Sequence, residues 1–138
     1  MKKSLMIIGM VLVCVVFLFP EPVGAQPAST GKSVMVRVEN ATDRNFESVL
    51  VSFIGKEKRY GKIAAGKKSS YVVVDRAYQY ARVEVRLVGS TEKVVLQPID
   101  FVGESLLGPG RYTYRLIQRG DSAKFRIDLE LVVDRNGS

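Results

Sequence analysis

The stretch Leu106-Leu107-Gly108-Pro109-Gly110-Arg111-Tyr112-Thr113-Tyr114-Arg115-Leu116-Ile117 decides how the chain is read. Pro109 fixes its own φ and Gly110 accepts a positive one, so the pair makes a turn. After the turn Tyr112, Tyr114 and Leu116 alternate with Thr113, Arg115 and Ile117, which is the period of a strand with one apolar face. A strand of this kind needs partners, and the flanking sequence supplies them.

Downstream, Arg119-Gly120-Asp121-Ser122 turns the chain into a second strand, Ala123 to Val133. There Phe125, Ile127, Leu129, Leu131 and Val133 are predicted to face inward, with Lys124, Arg126, Asp128 and Glu130 outward. Upstream, Ala81, Val83, Val85 and Leu87 alternate with Arg82, Glu84 and Arg86 in the longest regular stretch, and Gly89-Ser90-Thr91 closes a hairpin into Glu92 to Gln97. Earlier runs predict strands over 34–39, 46–54, 56–63 and 69–74, with turn-formers between them. Val49, Val51, Phe53 and the opposite Leu50 and Ile54 suggest a central strand covered on both sides. The connection Ile99 to Gly110 has the length of a crossing between sheets.

Beyond residue 25 no 3.6-residue apolar period lasts three turns, and no internal repeat stands out. The expected class is all-β: a two-sheet antiparallel sandwich of about eight strands, immunoglobulin-like or transthyretin-like. A small closed barrel is the alternative, because alternation does not say which faces meet.

The N-terminus reads as a secretory signal. Lys2 and Lys3 precede an apolar run of 15 residues from Leu5 to Phe19, and Val23-Gly24-Ala25 offers small residues for cleavage. The run is shorter than the roughly 18 to 20 residues that span a bilayer, so the membrane enters only if the segment stays uncleaved. The expected organisation is a signal at 1–25, a flexible lead-in at 26–32, a sandwich at 33–134 and a tail at 135–138. Cys14 is the single cysteine and lies inside the apolar run, where neither lipidation nor a disulfide is expected. An exported domain without disulfides leans towards a bacterial envelope or secreted protein.

The 138 residues carry 21 basic and 14 acidic side chains. Losing Lys2, Lys3 and Glu21 with the signal leaves about six excess positive charges, which favours anionic partners. Export makes nucleic acid a poor candidate among them. The sequence has no histidine, which removes the commonest general base and metal ligand. Ser69 or Ser70 with Lys67 or Lys68 could form a serine–lysine pair, yet nothing in the sequence desolvates the lysine. Asp75, Asp100 and Glu104 are scattered, and no phosphate-binding loop or cofactor motif is present. No enzyme activity and no cofactor are expected.

Two surfaces invite a ligand. Tyr78 and Tyr80, in an extended backbone, share one face with Arg82, Glu84 and Arg86, forming an aromatic and basic strip able to stack on sugars or hold anions. Against this stands the plainer reading that both rings pack at the core rim. The second surface is Arg111, Thr113 and Arg115, beside Lys124 and Arg126 if the last two strands pair. Arg119-Gly120-Asp121 spells an adhesion tripeptide, but a hairpin tip already accounts for Gly and Asp there. Asn40-Ala41-Thr42 and Asn136-Gly137-Ser138 are glycosylation sequons.

The segments Tyr60-Gly61-Lys62-Ile63, Ala77-Tyr78, Tyr80-Ala81, Leu96-Gln97-Pro98-Ile99-Asp100-Phe101-Val102-Gly103-Glu104 and Pro109-Gly110-Arg111-Tyr112-Thr113-Tyr114 resemble secreted bacterial proteins of similar size without assigned activity. The last motif also resembles strands of immunoglobulin-like and carboxypeptidase-regulatory-like sandwiches, where it is structural. The resemblance implies an exported sandwich and carries over no functional residue. The leading expectation is a non-catalytic module binding an envelope polymer or a protein partner through Tyr78, Tyr80, Arg82 and Arg86. The alternative is an enzyme or metal-dependent module built on the loop from Asp100 to Glu104. Edge strands leave oligomeric state open.

Overall fold

The structure is a computed structural model that describes residues 33–99, 104–120 and 124–135. The signal segment, the lead-in, Asp100, Asp121 and Asn136 lie outside the described residues.

Eight strands form two four-stranded sheets. They are β1 (Val34–Ala41), β2 (Phe46–Phe53), β3 (Lys56–Arg59), β4 (Val72–Val74), β5 (Arg82–Leu87), β6 (Lys93–Leu96), β7 (Gly110–Arg119) and β8 (Arg126–Asp134). The first sheet has the order β4-β1-β7-β8 and the second β3-β2-β5-β6. Hairpins join β2 to β3, β5 to β6 and β7 to β8 within a sheet. Every other connection changes sheet, including the one between β6 and β7, where Ile99 to Gly110 was expected to cross. Between the sheets lie Val36, Val38, Tyr114 and Leu116 from the first and Phe46, Val49, Val51, Val83 and Val85 from the second. The rings of Phe53 and Tyr114 stack across the gap at 6.0 Å. The fold is therefore the two-sheet all-β sandwich, and the barrel alternative fails because the strand pairings leave two separate sheets with open edges.

The turn and strand that decide the fold are built as their residues require. Gly110 adopts φ +153°, a setting that side chains rarely accept. Tyr112 folds its ring back over that glycine and donates its hydroxyl to the Gly108 carbonyl at 2.8 Å. A tyrosine hydroxyl tied to a carbonyl four residues upstream fixes the backbone at the start of the strand. It pins the entry to β7, whose Tyr112, Tyr114 and Leu116 are buried.

Several expectations need correction. The sandwich is antiparallel except for β1 and β7, which run parallel with Val34 opposite Gly110 and Ala41 opposite Ile117. Binary alternation is identical for either direction, so the sequence pattern has no means of marking this pair. β1 continues through Asn40 and Ala41, where turn-formers suggested its end. Strand three stops at Arg59, and Ile63 pairs separately with Phe46. Strand four is only Val72–Val74, but Ser69 still mimics a strand partner, giving its N–H to the Val38 carbonyl and accepting the Val38 N–H on its Oγ. β2 is central, yet one face alone is buried; Leu50 is half-buried and Ile54 exposed. In β8, Ile127 and Leu129 are buried whereas Val133 is 63% exposed. β8 is an edge strand of nine residues, and the edge it faces, β6, has four, so its far end has little to pack on.

Candidate functional site

The outer face of the second sheet carries the charges that the sequence singled out. In register, Leu50 sits opposite Arg59 on one side and Glu84 on the other, while Ser48 faces Arg86, which in turn faces Lys93. These side chains, with Glu57 and Arg82, line a depression of about 390 Å³. Glu84 is held between Arg82 at 3.3 Å and Lys93 at 2.8 Å. The Lys93 ammonium, opposed by burial and helped by Arg82, keeps its carboxyl below the usual glutamate range. The side chains of Arg59 and Arg86 make no ion pair or hydrogen bond with any described residue. Their strands are two ladder steps apart, about 10 Å, so two uncompensated guanidiniums flank an already neutralised centre.

Tyr78 and Tyr80 belong to a different place. β5 begins at Arg82, so strand alternation does not extend back to them, and the four expected site residues divide into two pairs. Tyr78 pairs by backbone with Leu106, and its carbonyl accepts the Tyr114 hydroxyl. Tyr80 turns towards the opposite sheet and donates its hydroxyl to Asp128. Both tyrosines line a cavity of about 200 Å³ with Ser52, Phe53, Ile54, Ala81 and Tyr114. Burial, then the Asp128 bond, pushes the Tyr80 hydroxyl above its ordinary pKa. The Tyr114 hydroxyl is driven up further by burial and then by the charge of Glu104.

The outer face of the first sheet is not the free basic ribbon that Arg111, Thr113 and Arg115 suggested, although β7 and β8 do pair. Thr113 is buried and donates its hydroxyl to Asp134 at 2.6 Å. Arg37 Nε donates to Thr113 Oγ1 at 2.8 Å, and the Tyr71 hydroxyl donates to Asp134 at 2.6 Å. The Arg37 and Arg111 guanidiniums lie 4.6 and 5.5 Å from the centre of the Tyr71 ring. Arg115 stands between Glu39 and Glu130. Acidic side chains at the outward positions of β1 and β8 thus offset the cations of β7.

The remaining candidates have local duties. Ser69 Oγ accepts from Val38 and donates to the Ser70 carbonyl at 2.9 Å, which occupies the hydroxyl of the serine–lysine pair. Asp75 is exposed and bound to Lys56 at 2.9 Å. Arg119 of the adhesion tripeptide bonds Asp128 at 2.6 Å, and Gly120 takes φ +87°, as a hairpin tip asks. Lys124 and Arg126 lie along a groove between β6 and β8. Among the described residues no group of three or more His, Cys, Asp or Glu could hold a metal, and no helix is long and apolar enough to cross a membrane. Reading strand period alone missed Arg59 and Lys93 as companions of Arg82 and Arg86, because only sheet order shows that β3 and β6 flank β2 and β5.

No protein-family model matches the sequence, and no curated protein matches it either. Among solved structures, the chain is similar to the NMR structure of a protein from Eubacterium rectale, at 19% identity and a TM-score of 0.50. The match covers 77% of this chain and 94% of that one. At this identity the likeness concerns the fold.

Proposed function

We propose that the chain is an exported, non-catalytic β-sandwich that binds an envelope component, and that this component is an anionic polymer met by the outer face of the second sheet. One observation carries the reading: Arg59 and Arg86 stand unpaired on either side of a depression whose two carboxylates include one already saturated by Arg82 and Lys93. Charged strand faces are usually interleaved so that cations have partners nearby, as Arg37 and Arg115 have on the outer face of the first sheet. Two free guanidiniums on strands two ladder steps apart suit repeating phosphate or carboxylate groups, since each forks onto a planar or tetrahedral anion. The signal-like N-terminus and the excess positive charge point the same way.

Fluorescently labelled polyphosphate at low salt tests the proposal. The residue 26–138 protein is expected to bind it saturably, and Arg59→Ala with Arg86→Ala to weaken binding about fivefold, the equivalent of roughly 1 kcal/mol. The attraction should fade as salt shortens the Debye length to about 8 Å. Arg44→Ala with Lys67→Ala removes the same charge from another surface. If that control weakens binding equally, net charge alone is responsible and the proposed site fails.

A further inference from the structure

The side of the sandwich on which β6 and β8 are the last strands of their sheets is open. No backbone hydrogen bond joins the two edges among the described residues, and a groove of about 570 Å³ lies between them. That volume is within the range of roughly 300 to 1,000 Å³ that small-molecule sites occupy. The floor of the groove is apolar because it is the margin of the core. Ile127 is buried, and the half-buried Leu87, Val94 and Phe125 pack on the core while lining the groove. Apolar surface in this position gains from a partner that removes it from water.

The rim is charged, with one sign in excess. Lys93, Lys124 and Arg126 stand against the single carboxylate of Glu92 among the lining residues. Lys93 is held by Glu84 at 2.8 Å, whereas the exposed side chains of Lys124 and Arg126 make no ion pair or hydrogen bond with any described residue. An apolar floor and free cations in one groove call for a ligand that joins a hydrocarbon part to an anion. A polyanion would leave the floor wet, and a neutral chain would leave the cations unmatched. A second copy of the chain is a poor occupant. In every antiparallel register that overlaps more than half of β8 with itself, two carboxylates from Asp128, Glu130 and Asp134 stand opposite one another, which is destabilising.

We infer that the groove between β6 and β8 binds a single-chain alkyl carboxylate, with the tail on Leu87, Val94 and Phe125 and the head at Lys124 and Arg126. A carboxylate there takes charge-assisted hydrogen bonds, and a guanidinium can fork onto both of its oxygens. Only Lys93 borders both this groove and the depression around Arg59 and Arg86, and the inference stands without the polyanion reading.

Titration of the residue 26–138 protein with sodium octanoate below its micelle-forming concentration, followed by NMR, tests the inference. Expected are saturable shifts centred on Leu87, Val94, Phe125 and Arg126 at millimolar ligand. Octylammonium, which reverses the charge, and acetate, which lacks the tail, should each bind at least about tenfold more weakly. Lys124→Ala with Arg126→Ala should weaken octanoate about tenfold and octylammonium not at all. Octylammonium binding as well as octanoate would overturn the inference by reducing the groove to a greasy surface, and acetate binding as well would reduce it to a charged one. An unaltered double variant or the absence of saturable shifts would also overturn it. So would displacement of octanoate by a lower concentration of the extended peptide Val-Glu-Val-Glu-Val-Glu, which would make the occupant an added strand. The three small ligands are compared on the wild type, so a poorly folded variant leaves the question decidable. Arg59→Ala with Arg86→Ala should bind octanoate as the wild type does, and a loss there would move the head to the polyanion face and end the inference.

Discussion

At the scale of single residues, Asn40 shows how a polar side chain earns a place in an oily interior. It is fully buried, yet its Nδ2 donates to the Arg44 and Ile63 carbonyls at 2.7 and 3.0 Å, and its Oδ1 accepts from the Thr42 N–H and hydroxyl at 3.1 and 2.7 Å. The side chain ties the end of β1 to the turn that follows and to the segment bridging to β2. Asn40→Ala would take one hydrogen bond each from the Arg44 and Ile63 carbonyls and from the Thr42 N–H and hydroxyl, a loss on the order of 2 to 4 kcal/mol. Urea unfolding should show this as a lower midpoint, and a shift near zero would mean that the network is dispensable. The same geometry bears on the sequon: the amide nitrogen is enclosed with both hydrogens committed, so the folded domain offers no acceptor for a glycan at Asn40. Sequence reading placed a turn here because Asn, Thr and Asp are turn-formers. What it had no access to was Ile63, 23 positions away, whose carbonyl makes the residue part of the core.

At the scale of elements, β8 separates what alternation can say from what it cannot. Five apolar positions recur at strand period, but only the first part of the strand faces the other sheet. Leu129 is 3% exposed and Val133 63%. Leu129→Ala should cost about 2 to 5 kcal/mol through lost transfer energy and the cavity it leaves, whereas Val133→Ala should fall within about 0.5 kcal/mol of neutral. Thermal or urea melts of the two variants decide the matter, and comparable losses would mean that β8 is covered along its whole length. β5 and β7 were legible because they are interior strands whose inward Val83 and Val85, and Tyr112, Tyr114 and Leu116, are buried against the other sheet. The direction of β1 against β7 and the short β4 were not legible, since both depend on which strand lies alongside. The candidate strip divides between two places for a related reason. Tyr78 and Tyr80 precede β5, and outside a strand a two-residue spacing fixes no common face.

At the scale of the whole molecule, tyrosine hydroxyls and carboxylates tie the strands and sheets together, and this sets a pH window for stability. The Tyr60 hydroxyl crosses from the second sheet to the Val36 carbonyl at 2.9 Å, Tyr80 reaches Asp128, and Tyr71 and Thr113 converge on Asp134. Burial works to raise the carboxyls of Asp128 and Asp134, but their bonds from Tyr80 and Leu129, and from Thr113 and Tyr71, with nearby arginines, hold both below the usual aspartate range. A depressed folded value means that the stabilisation is complete above the unfolded pKa of about 3.9 and is lost as pH falls through the folded one. The tyrosines act with the opposite sign. Burial raises Tyr60, Tyr71, Tyr80 and Tyr114, so their contribution is complete below the unfolded pKa of about 10 and is lost as pH rises through the folded values. Stability should therefore be flat from about pH 5 to pH 9 and decline on both sides. Urea midpoints collected from pH 2 to pH 11 by far-ultraviolet dichroism test this. In Asp134→Asn the acid-side decline should be shallower than in the wild type, because one of the two depressed carboxyls no longer titrates. An acid limb of unchanged steepness in that variant would place the linkage on other carboxylates and remove Asp134 from the set of groups that hold the first sheet together.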